Sequence, residues 1–282
     1  MQDVSSIDWN EVWKVQGLES RNNRGFRTCI DRWSDREQCR KYDRQARMND
    51  WKRSRDMIAR MDISPSSRVL DIGAGPGTLA IPLAGMVRHV TAVEPSPGMI
   101  ECLHENVRAG GFDNVSVVPK RWEDVDVGED LEAPYDVVVA SYSLGFDDLK
   151  GALQKMDAAA NGNVYIFWFA DMKSPWQQNY GGIWERLYGV PPKKDGNPNI
   201  VFNLLTQMGI FANVEVFPEE MTSRFASLED AVADQRHGLN IKSPEQEAVL
   251  RDFLANKLSK ENGEYVMRNM SYRAKIWWKK ER

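Results

Sequence analysis

The chain has 282 residues, 42% of them apolar, with 37 Lys/Arg against 41 Asp/Glu and a net charge of −4. That is long enough to bury the core of one large domain, and the balance of charge speaks against a strongly basic, nucleic-acid-coating protein. No run of about eighteen apolar residues offers a membrane span, and the first residues, MQDVSSIDWNEVW, lack the basic-then-apolar order of a secretory signal, so a soluble cytoplasmic protein is expected. Three cysteines (Cys29, Cys39, Cys102) without a C-x-x-C spacing, and three histidines (His89, His104, His237) far apart along the chain, argue against a disulfide framework or a metal site.

Residues 9–61 mix charges of alternating sign with Trp9, Trp13, Trp33 and Trp51 and show no strand-like alternation. They read as helices that pack by their tryptophans, because large aromatic surfaces left in water are costly. Ser64-Pro65-Ser66-Ser67 marks the passage into the next region. From there short apolar runs recur: RVLDI (68–72), HVTAV (89–93), VSVV (115–118), YDVVVA (135–140) and NVYIFWF (163–169). Runs apolar on both faces and separated by helix-length intervals are the pattern of parallel strands with crossover helices, so an α/β, doubly wound sheet is expected. Further on, SPWQQNYGGIWERLY (174–188) places Trp176, Tyr180, Trp184 and Tyr188 four residues apart on one helical stripe, with Gly181-Gly182 weakening its middle. Two more extended stretches, NVEVFP (213–218) and SYRAKIWW (271–278), flank helices expected at about 227–237 and 244–259, each begun by a serine with a capping partner three residues on (Ser227 with Asp230, Ser243 with Gln246). Val249, Leu250, Phe253, Leu254 and Leu258 give the second helix an apolar face that needs a partner.

The chemistry is concentrated in VLDIGAGPG (69–77). A glycine-rich turn between strand and helix lets backbone approach a ligand and aims free N–H groups at it. The even spacing of Gly73, Gly75 and Gly77 is not the dinucleotide G-x-G-x-x-G, and the absence of lysine excludes a P-loop. Asp71, at the end of the strand, would repel a pyrophosphate but favour a ligand carrying an ammonium or sulfonium group.

These residues resemble the first motif of the class I S-adenosylmethionine-dependent methyltransferases, acid-x-Gly-x-Gly-x-Gly. The resemblance continues through residue 170 or so. It implies that Asp71, Gly73, Ala74, Gly75 and Gly77 line the donor's site, that Glu94 in VTAVEPSPGMI takes both ribose hydroxyls with Pro95 beside it among the cofactor-binding residues, and that Met99 flanks adenine. In the third motif Arg121 stands where an acid is usual, which moves the adenine contact to Trp122 or Glu123. After the fourth strand, Ser141 and Tyr142 in ASYSLGF stand where the family lines the methyl-transfer site, without the N/D-P-P-Y sequence associated with amide or adenine methylation. The implied fold is a doubly wound, mostly parallel seven-stranded sheet with an antiparallel edge strand, comprising residues 66–282 with a helical insertion at about 219–265, behind a helical N-terminal extension (1–65). S-adenosylmethionine is the implied cofactor and S-adenosylhomocysteine the product.

The acceptor is read as a small molecule or a protein segment, with nucleic acid disfavoured and a monomer or homodimer expected. Tyr142 and Asp171 are the candidate catalytic groups, and Trp168, Trp176, Tyr180 and Trp184 join Tyr142 as a candidate substrate pocket. A nicotinamide-dependent oxidoreductase on the same sheet, or a binding protein that keeps the fold without turnover, are the competing readings.

Overall fold

A computed structural model describes residues 6–24, 33–170, 179–191 and 198–280. In chain order, α1 (Trp9–Arg24) and α2 (Arg36–Ile58) precede β1 (Arg68–Ile72), α3 (Ala80–Ala84), β2 (His89–Val93), α4 (Pro97–Gly110), β3 (Val115–Val118), β4 (Tyr135–Ser141), α5 (Leu149–Ala159) and β5 (Ala160–Phe169). Then come α6 (Trp184–Tyr188), α7 (Pro198–Gln207), β6 (Asn213–Phe225), α8 (Leu228–Gly238), α9 (Pro244–Lys257), β7 (Ser259–Glu261) and β8 (Glu264–Lys279). Among the described residues no helix is long and apolar enough to cross a membrane.

The sheet runs β3-β2-β1-β4-β5-β8-β6, with β7 paired to β8. The first five strands are parallel, and β8 is antiparallel to both β5 and β6. Strand order reverses between β1 and β4, and in open α/β sheets the crevice at the carboxyl end of such a reversal is where ligands bind. Alternate residues feed two cores. Leu70, Ile72, Val138, Ala140 and Ile166 face α5, α7 and Trp13, whereas Val69, Val137, Val139 and Phe167 face α3 and the end of α2.

The antiparallel strand β8 lies beside β5 with β6 beyond it, the edge hairpin expected of the two extended stretches. One detail of the sheet differs from the sequence expectation. The pairing of β6 with β8 runs well past 213–218 and 271–278, from Asn213 opposite Trp277 to Phe225 opposite Tyr265. Pro218 does not end β6 because an edge strand needs only one of its two rows of N–H groups. The segment from 219 onward is thus first a hairpin arm and only then helical. Helices α8 and α9 sit on that arm around their own cluster, in which Tyr180, Leu187, Phe225, Leu250, Leu254 and Met267 are buried. The expected caps form: Ser243 and Gln246 make a reciprocal capping box, and Ser227 Oγ accepts from Asp230 N at 3.0 Å.

The N-terminal tryptophans find the surfaces they need. Trp13 is buried with its indole N–H donating to Phe146 O (2.8 Å), Trp51 enters the α3-side core, and Trp33 packs on Tyr42. Helix α2 is not one regular rod. Asp50 and Trp51 have φ of 55° and 57°, and the Arg55 guanidinium bridges this break to Asp50 Oδ2 at 2.6 Å.

Leu254 is fully buried in the cluster on the hairpin arm. Leu254→Ala is expected to lower unfolding free energy by about 2–5 kcal/mol, as truncation of buried leucines does, read from the midpoint of urea denaturation.

Candidate active site

Beyond β1 the chain turns through three glycines with φ of 72°, 59° and 90°. Gly73 N and Ala74 N both donate to Val93 O (2.8 and 3.1 Å), tying the loop to the end of β2. A Cβ on Gly73 would fall 2.4 Å from Ser143 Cβ, and one on Gly77 2.7 Å from both Ile81 Cγ1 and Leu103 Cδ1. Packing alone therefore demands those two glycines. Gly75 differs, since its Cβ would meet nothing closer than Tyr42 Cε1 at 3.8 Å, so the loop there leaves room under α2.

Two carboxylates flank the loop. Asp71, hydrogen-bonded in the sheet between Ala92 and Val139, is 2% exposed, and its Oδ2 has no hydrogen-bond partner. Burial, and then the charge of Glu94, push its carboxyl up to about 7. Glu94 is equally buried, with Oε2 accepting from Gly75 N (2.8 Å) and Oε1 from Ser96 N (2.9 Å). Burial raises its carboxyl too, against those two N–H groups. Each Glu94 oxygen keeps a second lone pair, the capacity a vicinal diol requires. No cation contributes to either shift. Buried charges are normally paired, so this arrangement fits a ligand that brings positive charge and hydroxyls of its own.

Helix α2 lies over the loop and is latched there. Ser96 Oγ donates to Trp33 O (2.9 Å), and Arg40 bonds Glu101 and Glu105 of α4. Asn106 Nδ2 joins Asp43 Oδ1 (2.6 Å) to the loop carbonyl of Pro76 (2.9 Å). Trp33 and Tyr42, 5.1 Å apart, form the aromatic part of this cover. Neither was among the sequence candidates.

Several expected contacts are placed otherwise. Trp122 is 2% exposed, donates its indole N–H to Ala152 O (3.2 Å) and belongs to the main core, so it offers no face for stacking adenine. Glu123 is exposed and paired with Arg121. Met99 is buried with Cys39 and Cys102 in the α2–α4 interface, where Trp33 and Tyr42 pack against them. Pro95 is half-buried beside Glu94, and Ala74 is buried in the loop. Tyr180 donates its hydroxyl to Gln235 Oε1 (2.7 Å), and Trp184 packs on Tyr188 at 4.6 Å. Tyr180 and Tyr188 thus pack in the cluster of the hairpin arm, and Trp184 is buried against Tyr188. Asp171 and Trp176, and the side chain of His237, lie outside the described residues.

At the carboxyl ends of β4 and β5 the expected residues do converge. Ser141 Oγ contacts Met57 Sδ (3.8 Å), and Ser143 Oγ donates to Ile72 O (2.6 Å), which sets Tyr142 beside the glycine loop. Tyr142 has φ of 54°, donates its N–H to Phe167 O (3.0 Å) and carries a buried hydroxyl without a partner. Burial raises the Tyr142 phenol above its ordinary value despite Arg53 and Arg273 nearby, so it stays protonated at neutral pH with its O–H free to donate. Trp168 stacks obliquely between Trp13 and Phe169, and its indole N–H is also unpartnered. Arg53, Glu219 and Arg273 crowd around Tyr142 and were missed in the sequence. The signal was present: SYRAKIWW alternates Arg273 and Lys275 with Ala274 and Ile276 in a strand covered on both faces. A wider cleft of about 780 Å³ opens at the other end of the strands, beside Ser64, Asp136 and Lys280. It is remote from the glycine loop and lies at the amino ends of β1 and β4, the wrong end for a ligand of such a sheet.

A family profile described as "Methyltransferase domain" matches residues 69–161. An uncharacterised protein of Haemophilus influenzae is 30% identical over 234 residues, spanning 81% of this chain and 82% of that protein. This chain belongs to the class I S-adenosylmethionine-dependent methyltransferases. S-adenosylmethionine is the cofactor that goes with that membership, and the unpaired Asp71 oxygen and the open side of Gly75 fit it. Protein arginine N-methyltransferase 7 of Oryza sativa subsp. indica is 41% identical over only 86 residues, 27% of this methyltransferase and 12% of that protein. Among solved structures, a proposed methyltransferase of Bacillus halodurans C-125 superposes with a TM-score of 0.57 at 12% identity, covering 81% of this chain and 99% of the other. The YcgJ protein of Bacillus subtilis gives 0.53 at 13%, covering 79% and 97%. These likenesses are of fold.

The raised carboxyl of Asp71 sets a pH dependence. A carboxyl raised on folding adds stability below its unfolded value of about 3.9, and that contribution is lost as pH rises through about 7. A cationic ligand favours the ionised form. Affinity for S-adenosylhomocysteine is therefore expected to rise between pH 5.5 and 7 by up to about tenfold per unit, the limit for one linked proton. In Asp71→Asn the calorimetric profile should be flat across this range.

Proposed function

We propose that this methyltransferase transfers the methyl group of S-adenosylmethionine to a small-molecule acceptor enclosed at the carboxyl ends of β4 and β5, beside Tyr142 and Trp168. The observation that carries the reading is the pair of buried, cation-free carboxylates, Asp71 and Glu94, on either side of a loop left open only at Gly75. In this reading Asp71 faces the donor's ammonium, the N–H groups of the loop face its carboxylate, and Glu94 accepts from the ribose hydroxyls. Trp33, just ahead of α2, and Tyr42 on it stand nearest to the space left for the base, the place Trp122 does not fill. Bound there, S-adenosylmethionine supplies an already activated methyl group on sulfonium sulfur, so no nucleophile of the protein is required.

The remaining task of the protein is to orient both partners and exclude water, effects worth up to about 7–11 kcal/mol where geometry is favourable. The latch of α2 onto α4 and Pro76 serves exclusion, and the strained backbone at Tyr142 serves orientation. A small acceptor is favoured over a protein segment because the polar atoms of Tyr142 and Trp168 are out of reach of solvent. The same arrangement supports reading residues 1–65 as a cap on a catalytic domain spanning 66–282, with the segment at about 219–265 as its insertion.

Calorimetric titration with S-adenosylhomocysteine tests the donor site. Asp71→Ala and Glu94→Ala are each expected to weaken binding by about 1.5–3 kcal/mol, as loss of charged hydrogen bonds does. Unchanged affinity in both would refute the assignment. Transfer of labelled methyl into the low-molecular-mass fraction of a cell extract, with none into its protein, is the result expected for a small acceptor.

A further inference from the structure

Arg273, on β8 opposite Phe169 of β5 and Phe217 of β6, is 1% exposed. Its Nε donates to Glu219 Oε2 (2.6 Å) and its Nη2 lies 3.4 Å from Met221 Sδ, but its Nη1 has no partner. Arg53, from α2, grips the same carboxylate through Nε (2.8 Å) and Nη2 (3.1 Å). Burial pushes the Glu219 carboxyl up, yet the two arginines outweigh it and hold it below its ordinary range. Two guanidiniums thus share one carboxylate and leave one positive charge in excess. Both lie over the Tyr142 ring, with guanidinium carbons 5.1 and 5.2 Å from its centroid, and Arg273 also covers Phe169 at 4.8 Å.

Three further polar atoms around this group lack partners: the Tyr142 hydroxyl, Ser271 Oγ and Asn269 Oδ1. Asn269, Ser271 and Arg273 alternate along β8 and so present the same face of the sheet, the face on which Glu219 stands opposite Ser271. A strut that merely fixed α2 to the hairpin would be neutral and fully hydrogen-bonded, because an unpaired buried guanidinium nitrogen is destabilising. What the group lacks is one negative charge with oxygen lone pairs, next to the residue that borders the glycine loop.

We propose that Arg273 Nη1, with the Tyr142 and Ser271 hydroxyls, holds a carboxylate of the methyl acceptor, so that the substrate is a small carboxylic acid. This rests on the reading of the Tyr142 region as the acceptor site. A carboxylate is favoured over a phosphate because the excess charge is a single one, and the planar fork of arginine suits a planar oxyanion. The carboxylate is the handle by which the acceptor is oriented; the methylated atom is elsewhere on the molecule.

Formate, small enough to enter any carboxylate subsite, is the probe. Full-length protein saturated with S-adenosylhomocysteine is melted in increasing sodium formate, with sodium chloride at equal ionic strength, formamide and inorganic phosphate as comparisons. The expected result is a saturable rise in Tm with formate beyond that given by chloride and absent with formamide, as ligand linkage requires. Arg273→Met should abolish it while affinity for S-adenosylhomocysteine stays within about twofold of wild type. If Arg273→Met does not fold, Tyr142→Phe and Ser271→Ala, which each remove one donor, should each diminish the increment. Equal effects of formate and chloride on the wild-type protein overturn the inference, as does a formate effect that survives all three substitutions. A phosphate-specific rise without a formate effect overturns the carboxylate assignment in favour of a phosphorylated acceptor. Calorimetry with S-adenosylhomocysteine on the same preparation reports the donor site separately, so failure of that reading is distinguishable from failure of this one.

Discussion

Two carboxylates buried at the ends of neighbouring strands, with no cation between them among the described residues, set the terms for everything around the glycine loop. Burial raises both carboxyls, and the charge of Glu94 raises that of Asp71 further. The protein offsets part of this through backbone N–H groups, that of Ala80 for Asp71 and those of Gly75 and Ser96 for Glu94, the last at the amino end of α4 where the helix dipole favours negative charge. Asp71 has no such help at Oδ2. The loop, its two packing-enforced glycines, the cap of α4 and the latch of α2 all keep water from this pair. The protein holds the site in a state that a cationic ligand relieves.

On the other side of Tyr142 the sign is reversed. Arg53 and Arg273 outnumber Glu219, and both guanidiniums lie over the Tyr142 ring, Arg273 over Phe169 as well. A surplus of positive charge therefore stands next to the residue that borders the carboxylate-flanked loop, and a group suited to one environment meets its own sign in the other.

The five parallel strands, the caps at Ser227 and Ser243, and the carboxylate–glycine loop were all legible in the sequence, because each is a local pattern: two-sided apolar runs, serine with a partner three residues on, glycines where φ must be positive. What escaped depended on packing between distant segments. Nothing local says that Trp122 turns into the core toward Ala152, or that Met99 and Cys102 meet Cys39 of α2 across an interface. The aromatic stripe of Tyr180 and Tyr188 has the same spacing whether it lines a pocket or fills a core, and only the arm formed by β6 and β8 places these two in its cluster. Arg53 and Arg273 are more than two hundred residues apart, and only their shared carboxylate reveals them as one group.

The break in α2 at Asp50 and Trp51 gives that helix a mechanical character. A regular helix does not pass through two consecutive left-handed residues, so α2 is two rods joined at an elbow. The forward rod carries Tyr42 and Asp43 and rests on the donor side. The rear rod carries Arg53, and just past its end Arg60 bonds Glu215 of β6. The elbow thus separates the half of α2 that is bonded to α4 and, through Asn106, to the glycine loop from the half that carries Arg53 to Glu219.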